Sequence, residues 1–260
     1  MKKEICLDDY RYRHHTTYNP QKCIRHAHKA LEIVYFINGD ISYVIDGHRF
    51  PLAPGDIVII PASRYHYADI AGKAPYERAV IDFMDTLVPP SLVKRVFYEP
   101  RVFRTAGLPA FRDYYKRLDE YADIPQREDR ERIAKALLVE LLCLLAGLNP
   151  SLSVAPEVQN NNTVETAIAY MNEHMASICS MKEICEALYI SPSHLCKVFR
   201  EVLNTSPMKY LRTRRLHHAH NLLRMGERPT ILYTECGFRD YSSFYRAYRE
   251  YFGISPTEQG

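Results

Sequence analysis

No stretch of this chain is apolar for long enough to cross a bilayer. The longest such run, ALLVELLCLLAGL (136–148), stops well short of the roughly 18 residues a span requires. The opening MKKEICLDDYRYRHH has basic residues but no apolar stretch behind them, so no secretory signal is expected. No pair of the seven cysteines is spaced CxxC, and their number is odd. Cys143 and Cys185 fall at apolar positions of predicted helices, which points to reduced, buried thiols and a cytoplasmic protein. P-loop, GxGxxG and GxSxG motifs are all missing, so no common catalytic constellation argues for an enzyme. The net charge of +3 is too small to mean anything by itself.

What is present divides into two halves, and 260 residues suffice for two domains with separate cores. Residues 30–83 read as short strands: LEIVYFI, ISYVI, HRFPL, IVIIP and YERAVIDF, separated by the turns NGD, DG and PGD. Close spacing of this kind favours a barrel or sandwich over β/α units. From about 107 the period becomes helical. In REDRERIAKALLVELLCLLAGL, the residues Leu137, Leu138, Leu141, Leu142 and Leu145 give an apolar face wider than one partner need bury, which predicts packing on the barrel and on a second subunit. NPSLSVAPEVQNNNT is polar and without period. It reads as a linker over 149–163, between domains at 1–148 and 164–260.

The C-terminal half has a doubled pattern. In SMKEICEALYISPSHLCKVFREVL (180–203), Ser180 caps a short helix with Glu183 as the return half of a capping box. Ser191 caps a second helix that has Pro192 at its first position. Leu195, Val198, Phe199 and Val202 form the inner side of that helix, leaving Ser193, His194, Lys197 and Arg200 outward. Two short helices around a tight turn, the second with outward basic groups, describe a DNA-reading helix-turn-helix. The pattern recurs in PTILYTECGFRDYSSFYRAYREYFG (229–253), where Asp240 caps the helix starting at Tyr241. Between the units, residues 197–228 hold eight basic residues against two acidic ones, with His217, His218 and His220 interleaved; such a stripe is suited to phosphate contact. A connecting helix over 207–225 would span about 28 Å. One duplex turn is about 34 Å, so one chain can offer two reading helices to successive major grooves.

Through SPSHLCKVFRE, TSPMKYLRTRRLHHAHNLL and GFRDYSSFYRAYREYFGISP, residues 165–260 resemble the AraC/XylS family of transcription regulators. The resemblance implies base-facing positions at Ser193, Cys196 and Lys197, with His194 beside them, and at Tyr241, Ser242, Ser243, Tyr245 and Arg246. It places backbone contacts at Arg212, Arg215 and Arg249. Two positions depart from the family pattern: Pro229 and the bulky Tyr233 stand where it usually has an Ile and a small Ala.

The strand-rich half is similar to that family's cupin-like sensing domain through HAHKALEIVYFING and PGDIVIIPASRYH. His26, His28, Glu32 and His66 fall where metal-binding cupins place four ligands. Residues 26, 28 and 32 share parity, so a continuous strand would point all three to one face. Three imidazoles and a carboxylate suit a divalent transition metal of several kinds. Ser63 and Ile70 replace the Gly and Asn of the second cupin motif. The same histidines and Glu32 are also candidates to line a pocket for a small organic effector, with Tyr43, Tyr65 and Tyr67 as stacking surfaces, or to serve as structural hydrogen-bonding groups. Arg11 and Arg13 lie on a stretch that could form an arm over that pocket.

The expected protein is α+β: a cupin-like β-barrel with dimerisation helices, then an all-α double helix-turn-helix domain. Its expected function is a non-enzymatic, cytoplasmic transcription regulator, an activator or a repressor. It would be a homodimer that binds promoter DNA, recruits RNA polymerase and responds to a small effector, a carbohydrate or related metabolite. The alternative is a metal-dependent cupin enzyme or metal sensor using His26, His28, Glu32 and His66.

Overall fold

The computed structural model describes residues 2–18, 20, 26–157 and 163–258. The chain forms two compact units, Met1–Val158 and Gln159–Gly260.

In the first unit nine strands make two antiparallel sheets. They are β1 (Lys2–Cys6), β2 (Tyr10–Thr17), β3 (Leu31–Asn38), β4 (Ile41–Ile45), β5 (His48–Pro51), β6 (Asp56–Ile60), β7 (His66–Ile70), β8 (Tyr76–Phe83) and β9 (Arg101–Arg104). The six-stranded sheet runs β1-β2-β8-β3-β6-β9, and the three-stranded sheet runs β5-β4-β7. Side chains alternate faces along a strand. Val34, Phe36, Val58, Ile60 and Val80 therefore meet Ile41, Tyr43, Ile45, Phe50 and Ala68 of the smaller sheet in one buried cluster. The opposite parity, Ile33, Ile57, Ile59, Ile81 and Phe83, packs against helices. This explains why LEIVYFI and IVIIP are apolar at nearly every position: they are buried on both faces. Gly55 lets the β5–β6 turn pass close to the chain, because a Cβ there would lie 2.8 Å from Ala106 Cα.

The helices covering that outer face are α1 (Pro90–Val96), α2 (Pro109–Tyr121) and α3 (Arg127–Ala146). Phe111, Tyr114 and Leu118 of α2 join the sheet residues in one core, as do all five leucines singled out on α3. The width of that leucine face is therefore filled within the chain, and the expectation of a second subunit draws no support from it. Cys143, expected to be buried, faces outward, whereas Cys185 is buried.

Residues 149–157, expected as part of the linker, are bonded to the barrel. Val154 N–H donates to Val102 O and Glu157 N–H to Arg49 O, each at 2.7 Å. The segment thereby straps β9 at one sheet edge and β5 at the other. The rest of the expected linker, apart from Thr163, lies outside the described residues.

The second unit is helical: α4 (Thr163–Glu173), α5 (Met181–Leu188), α6 (Pro192–Leu203), α7 (Pro207–Arg224), α8 (Pro229–Glu235) and α9 (Tyr241–Phe252). The caps read from the sequence form. Ser180 accepts from Glu183 N–H, Ser191 from His194 N–H and Asp240 from Ser243 N–H. Pro229 occupies the first turn of α8, where a missing N–H costs no helical bond. Tyr233 is half-buried, its ring edge-on to Tyr241 at 6.0 Å.

Candidate effector pocket and nucleic-acid interface

A cavity of about 440 Å³ opens in the first unit, lined from both sheets. Arg11, Arg13 and His15 enter it from β2, Arg78, Val80 and Asp82 from β8, Glu32 from β3, Tyr43 from β4 and Tyr67 from β7. Arg11 and Arg13 thus belong to a strand inside the larger sheet, not to an arm laid over the pocket, because β2 pairs along its whole length with β8. Arg13 closes an ion pair with Asp82 at 2.6 Å. Tyr65 is not among the lining residues.

At one end of the cavity the structure brings together His26, His28, Glu32 and His66, with ligand-capable atoms all within 4.8 Å of one another. The grouping does not come from a continuous strand as the parity reading assumed. β3 begins only at Leu31, and His26 is placed by an isolated bridge to His66, each N–H donating to the other's carbonyl. Ser63 stands in the left-handed region at φ 58°, so the turn keeps the backbone shape for which the cupin pattern uses glycine. Its N–H donates to His28 O at 2.8 Å, tying the two motifs together.

The tautomers follow from the backbone. His28 Nδ1 lies 3.0 Å from Ala30 O and His66 Nδ1 lies 2.8 Å from Arg64 O. A carbonyl only accepts, so both Nδ1 atoms carry hydrogen and both Nε2 atoms face Glu32. His28 Nε2 is 2.8 Å from Glu32 Oε2. Burial works to raise the Glu32 pKa, but the neighbouring His28 and His66 imidazoles more than offset it and hold the carboxylate ionised. Burial opposes charge on His28 too, yet Glu32 raises its pKa above the ordinary value. His66 Nε2 is wholly buried, 3.2 Å from Glu32 Oε2, but makes no hydrogen bond of acceptable geometry. An imidazole fixed through Nδ1, with its Nε2 lone pair turned into a carboxylate-bearing cluster, is the usual outer support of a metal ligand. The donor set therefore fits a divalent transition metal.

In the second unit Ser193, His194 and Lys197 are exposed on α6, and Ser242, Arg246 and Arg249 on α9. Tyr241, Ser243 and Tyr245 are half-buried, and Ser243 is bound to Asp240 through both N–H and Oγ. Cys196 is turned partly towards α5, its Sγ 3.6 Å from Met181 Sδ. Arg212 is exposed and lies 3.0 Å from Glu250.

Arg215 requires a correction. Its Nε donates to Met175 O at 2.8 Å and an Nη to Ile178 O at 2.5 Å, so the guanidinium joins α7 to the segment before α5 instead of reaching a phosphate. Gly237, at φ 78°, makes room: a Cβ there would lie 2.7 Å from Arg215 Nε. His217 and His220 also leave the expected basic stripe. Both are buried, bonded to Tyr251 Oη at 3.0 Å and Tyr248 Oη at 2.7 Å. A groove of about 490 Å³ adds one basic residue the sequence reading missed: exposed Arg239 lines it with Arg212 and Arg246. Its position just before the cap Asp240 was the available signal.

Residues 14–81 match the family described as a cupin domain, and residues 184–259 one described as a helix-turn-helix domain. The raffinose operon transcriptional regulatory protein RafR of Pediococcus pentosaceus is 23% identical over 262 residues, covering 98% of this chain and 90% of that protein. The Msm operon regulatory protein of Streptococcus mutans is 25% identical, covering 87% and 82%. The arabinose operon regulatory protein of Escherichia coli is 27% identical, covering 82% and 74%. The likeness to these regulators thus extends across both matched segments of the chain. In both domains the chain resembles the AraC/XylS regulators. It is an AraC-type, DNA-binding transcription regulator with a cupin-like ligand-binding domain. The matched helix-turn-helix segment includes α6 and α9, and the matched cupin segment includes the four-residue cluster.

Proposed function

We propose that this AraC-type regulator senses a carbohydrate or related metabolite in the barrel cavity and uses that binding to control promoter occupancy. The observation that carries the reading is the cavity itself. It is lined by guanidinium, imidazole, carboxylate and tyrosine groups, the mixture that recognises a polyhydroxylated ligand, in a chain whose other unit is a DNA reader. The printed names of two relatives, regulators of raffinose and arabinose operons, support a sugar. Ser193, His194 and Lys197 on α6, with Ser242, Tyr245 and Arg246 on α9, read bases; Arg212, Arg239 and Arg249 hold phosphates. The protein acts as a cytoplasmic homodimer on double-stranded promoter DNA, activating through RNA polymerase. Among the described residues no helix is long and apolar enough to cross a membrane.

Coupling runs through residues 149–157. Because that strap is bonded to an edge of each sheet, a ligand that changes the spacing of the sheets moves the strap with them. The test is binding of full-length protein to promoter fragments at several salt concentrations, with and without a panel of sugars. A ligand that shifts DNA affinity or half-site spacing supports the reading; sugars that bind nowhere in the barrel and leave DNA binding unchanged overturn it.

A second reading has one specific observation behind it, the buried His66 Nε2 without a hydrogen bond. In it His26, His28, Glu32 and His66 hold a divalent metal, making the barrel a metal sensor or a metal-assisted sugar site. A bound metal would supply Lewis acidity to ligand oxygens. The four side chains themselves would fix its position, and the Ala30 and Arg64 carbonyls would fix the orientation of two imidazoles.

A further inference from the structure

We propose that the ligand of the barrel cavity is an acidic sugar, a polyol whose carboxylate or phosphate seats against Arg78. This rests on the reading of the cavity as a sugar site and narrows it to a charged class.

Arg78 lines the cavity from β8 and is half-buried. One Nη donates to Thr17 Oγ1 at 2.8 Å and to Tyr76 O at 3.3 Å, and the guanidinium carbon lies 3.9 Å from the centre of the Tyr76 ring. These contacts fix the plane of the fork without neutralising it. Among the described residues no carboxylate pairs with Arg78, and its other Nη and its Nε make no hydrogen bond. A fixed guanidinium edge is the geometry that receives a carboxylate or phosphate in two parallel bonds.

The neighbouring groups do not remove this excess charge. Arg13, the next cation inward, is committed to Asp82 at 2.6 Å. His15 stands directly opposite Arg78 in the β2–β8 register. Burial, followed by the charges of Arg78 and Arg13, pushes its pKa down to about 4, so it stays neutral beside the arginine. The cavity is polarised along its length. Glu32 and Asp82 face each other across β3 and β8 at the far end. Arg78 and Asp82 share a face of β8 four residues apart, about 13 Å along the strand. An anionic group is drawn to the half-buried Arg78 in preference to Arg11, which stands opposite Asp82 but is exposed, and this leaves hydroxyls to face Glu32 and the histidines. A neutral sugar would fill the same volume but leave a half-buried guanidinium without a counter-ion.

The experiment is calorimetry on the full-length protein with matched pairs: galactose against galacturonate and galactose 6-phosphate, and glucose against glucuronate. The expected result is a preference of about 10- to 100-fold for an acidic member, the worth of one charge-assisted contact. Arg78→Gln should bring acid and neutral affinities together, and Arg78→Lys should restore part of the difference. Equal or tighter binding of the neutral sugars by the wild-type protein overturns the acidic assignment while sparing the sugar site. Binding of neither kind overturns both. The wild-type comparison decides even where Arg78→Gln fails to fold. The carboxylate and phosphate arms show which anion the fork accepts.

Discussion

His66 Nε2 lies 3.2 Å from Glu32 Oε2, inside the barrel and out of reach of solvent, in an orientation that forms no hydrogen bond. With Nδ1 donating to Arg64 O, that nitrogen is turned towards an ionised carboxylate. A cation between them would give both a partner. Protein purified without a chelator or histidine tag is therefore expected to carry about one transition metal per chain. His26→Ala and His66→Ala should each abolish it in elemental analysis. Metal at background level in the wild-type protein would instead leave the cluster as part of the organic-ligand pocket.

Two classes of basic residue in the reader unit should separate under mutation. Lys197→Ala and Arg246→Ala remove exposed charges, so each is expected to weaken DNA binding with stability unchanged. Where the lost contact is to a phosphate, the slope of log K against log salt should fall by about one. Arg215→Ala removes two charge-assisted bonds to backbone carbonyls. It should destabilise the fold by about 2 kcal/mol or more, and lose DNA binding only as a consequence. Salt titrations beside thermal melts tell the cases apart. An Arg215→Ala protein of wild-type stability with weak DNA binding would return that residue to the phosphate contacts.

The bond between His220 Nδ1 and Tyr248 Oη joins α7 to α9 inside the core of the second reader unit. Tyr248→Phe keeps the ring and removes the hydroxyl. It should cost about 1 kcal/mol. Hydrogen exchange is expected to rise in α8 and α9 while α5 and α6 stay protected. Equal loosening of both units would mean that the second does not open by itself.

His14 gives the first unit a predictable pH dependence. It bridges Asp119 of α2 at 2.7 Å and Glu77 at 3.0 Å, and the bond to Asp119 is the main cause of its raised pKa. A group whose pKa is higher folded than unfolded stabilises fully below the unfolded value, about 6.5. That contribution fades as pH rises through the folded value. The difference in urea midpoint between wild type and His14→Ala should therefore be larger at pH 6 than at pH 9. A difference independent of pH would show that the imidazole acts by packing alone.

The strands in 30–83 were readable because their alternation and turn residues are local properties. The same holds for the caps Ser180, Ser191 and Asp240, whose partners are three residues away. β2 was not readable as a strand. In YRYRHHTT its tyrosines face the helices and its arginines and second histidine face the cavity, so polarity points inward and mimics an exposed tail. The direction of Arg215, His217 and His220 was equally hidden, since a basic helix gives no sign of which cations find buried acceptors on other segments.

By itself, then, the sequence determined the two-part architecture and the doubled reader, because short-range periodicity and spacing encode them, while the resemblance to cupins named the four residues of the cluster. Only the tertiary structure decided the rest. It placed His26 through a bridge to His66, filled the α3 leucine face from within the chain and bound residues 149–157 to both sheets. It also left Arg78 facing the cavity without a carboxylate partner among the described residues. Each of these depends on pairing between residues far apart in the chain, where burial and charge are properties of the assembled fold and of no local pattern.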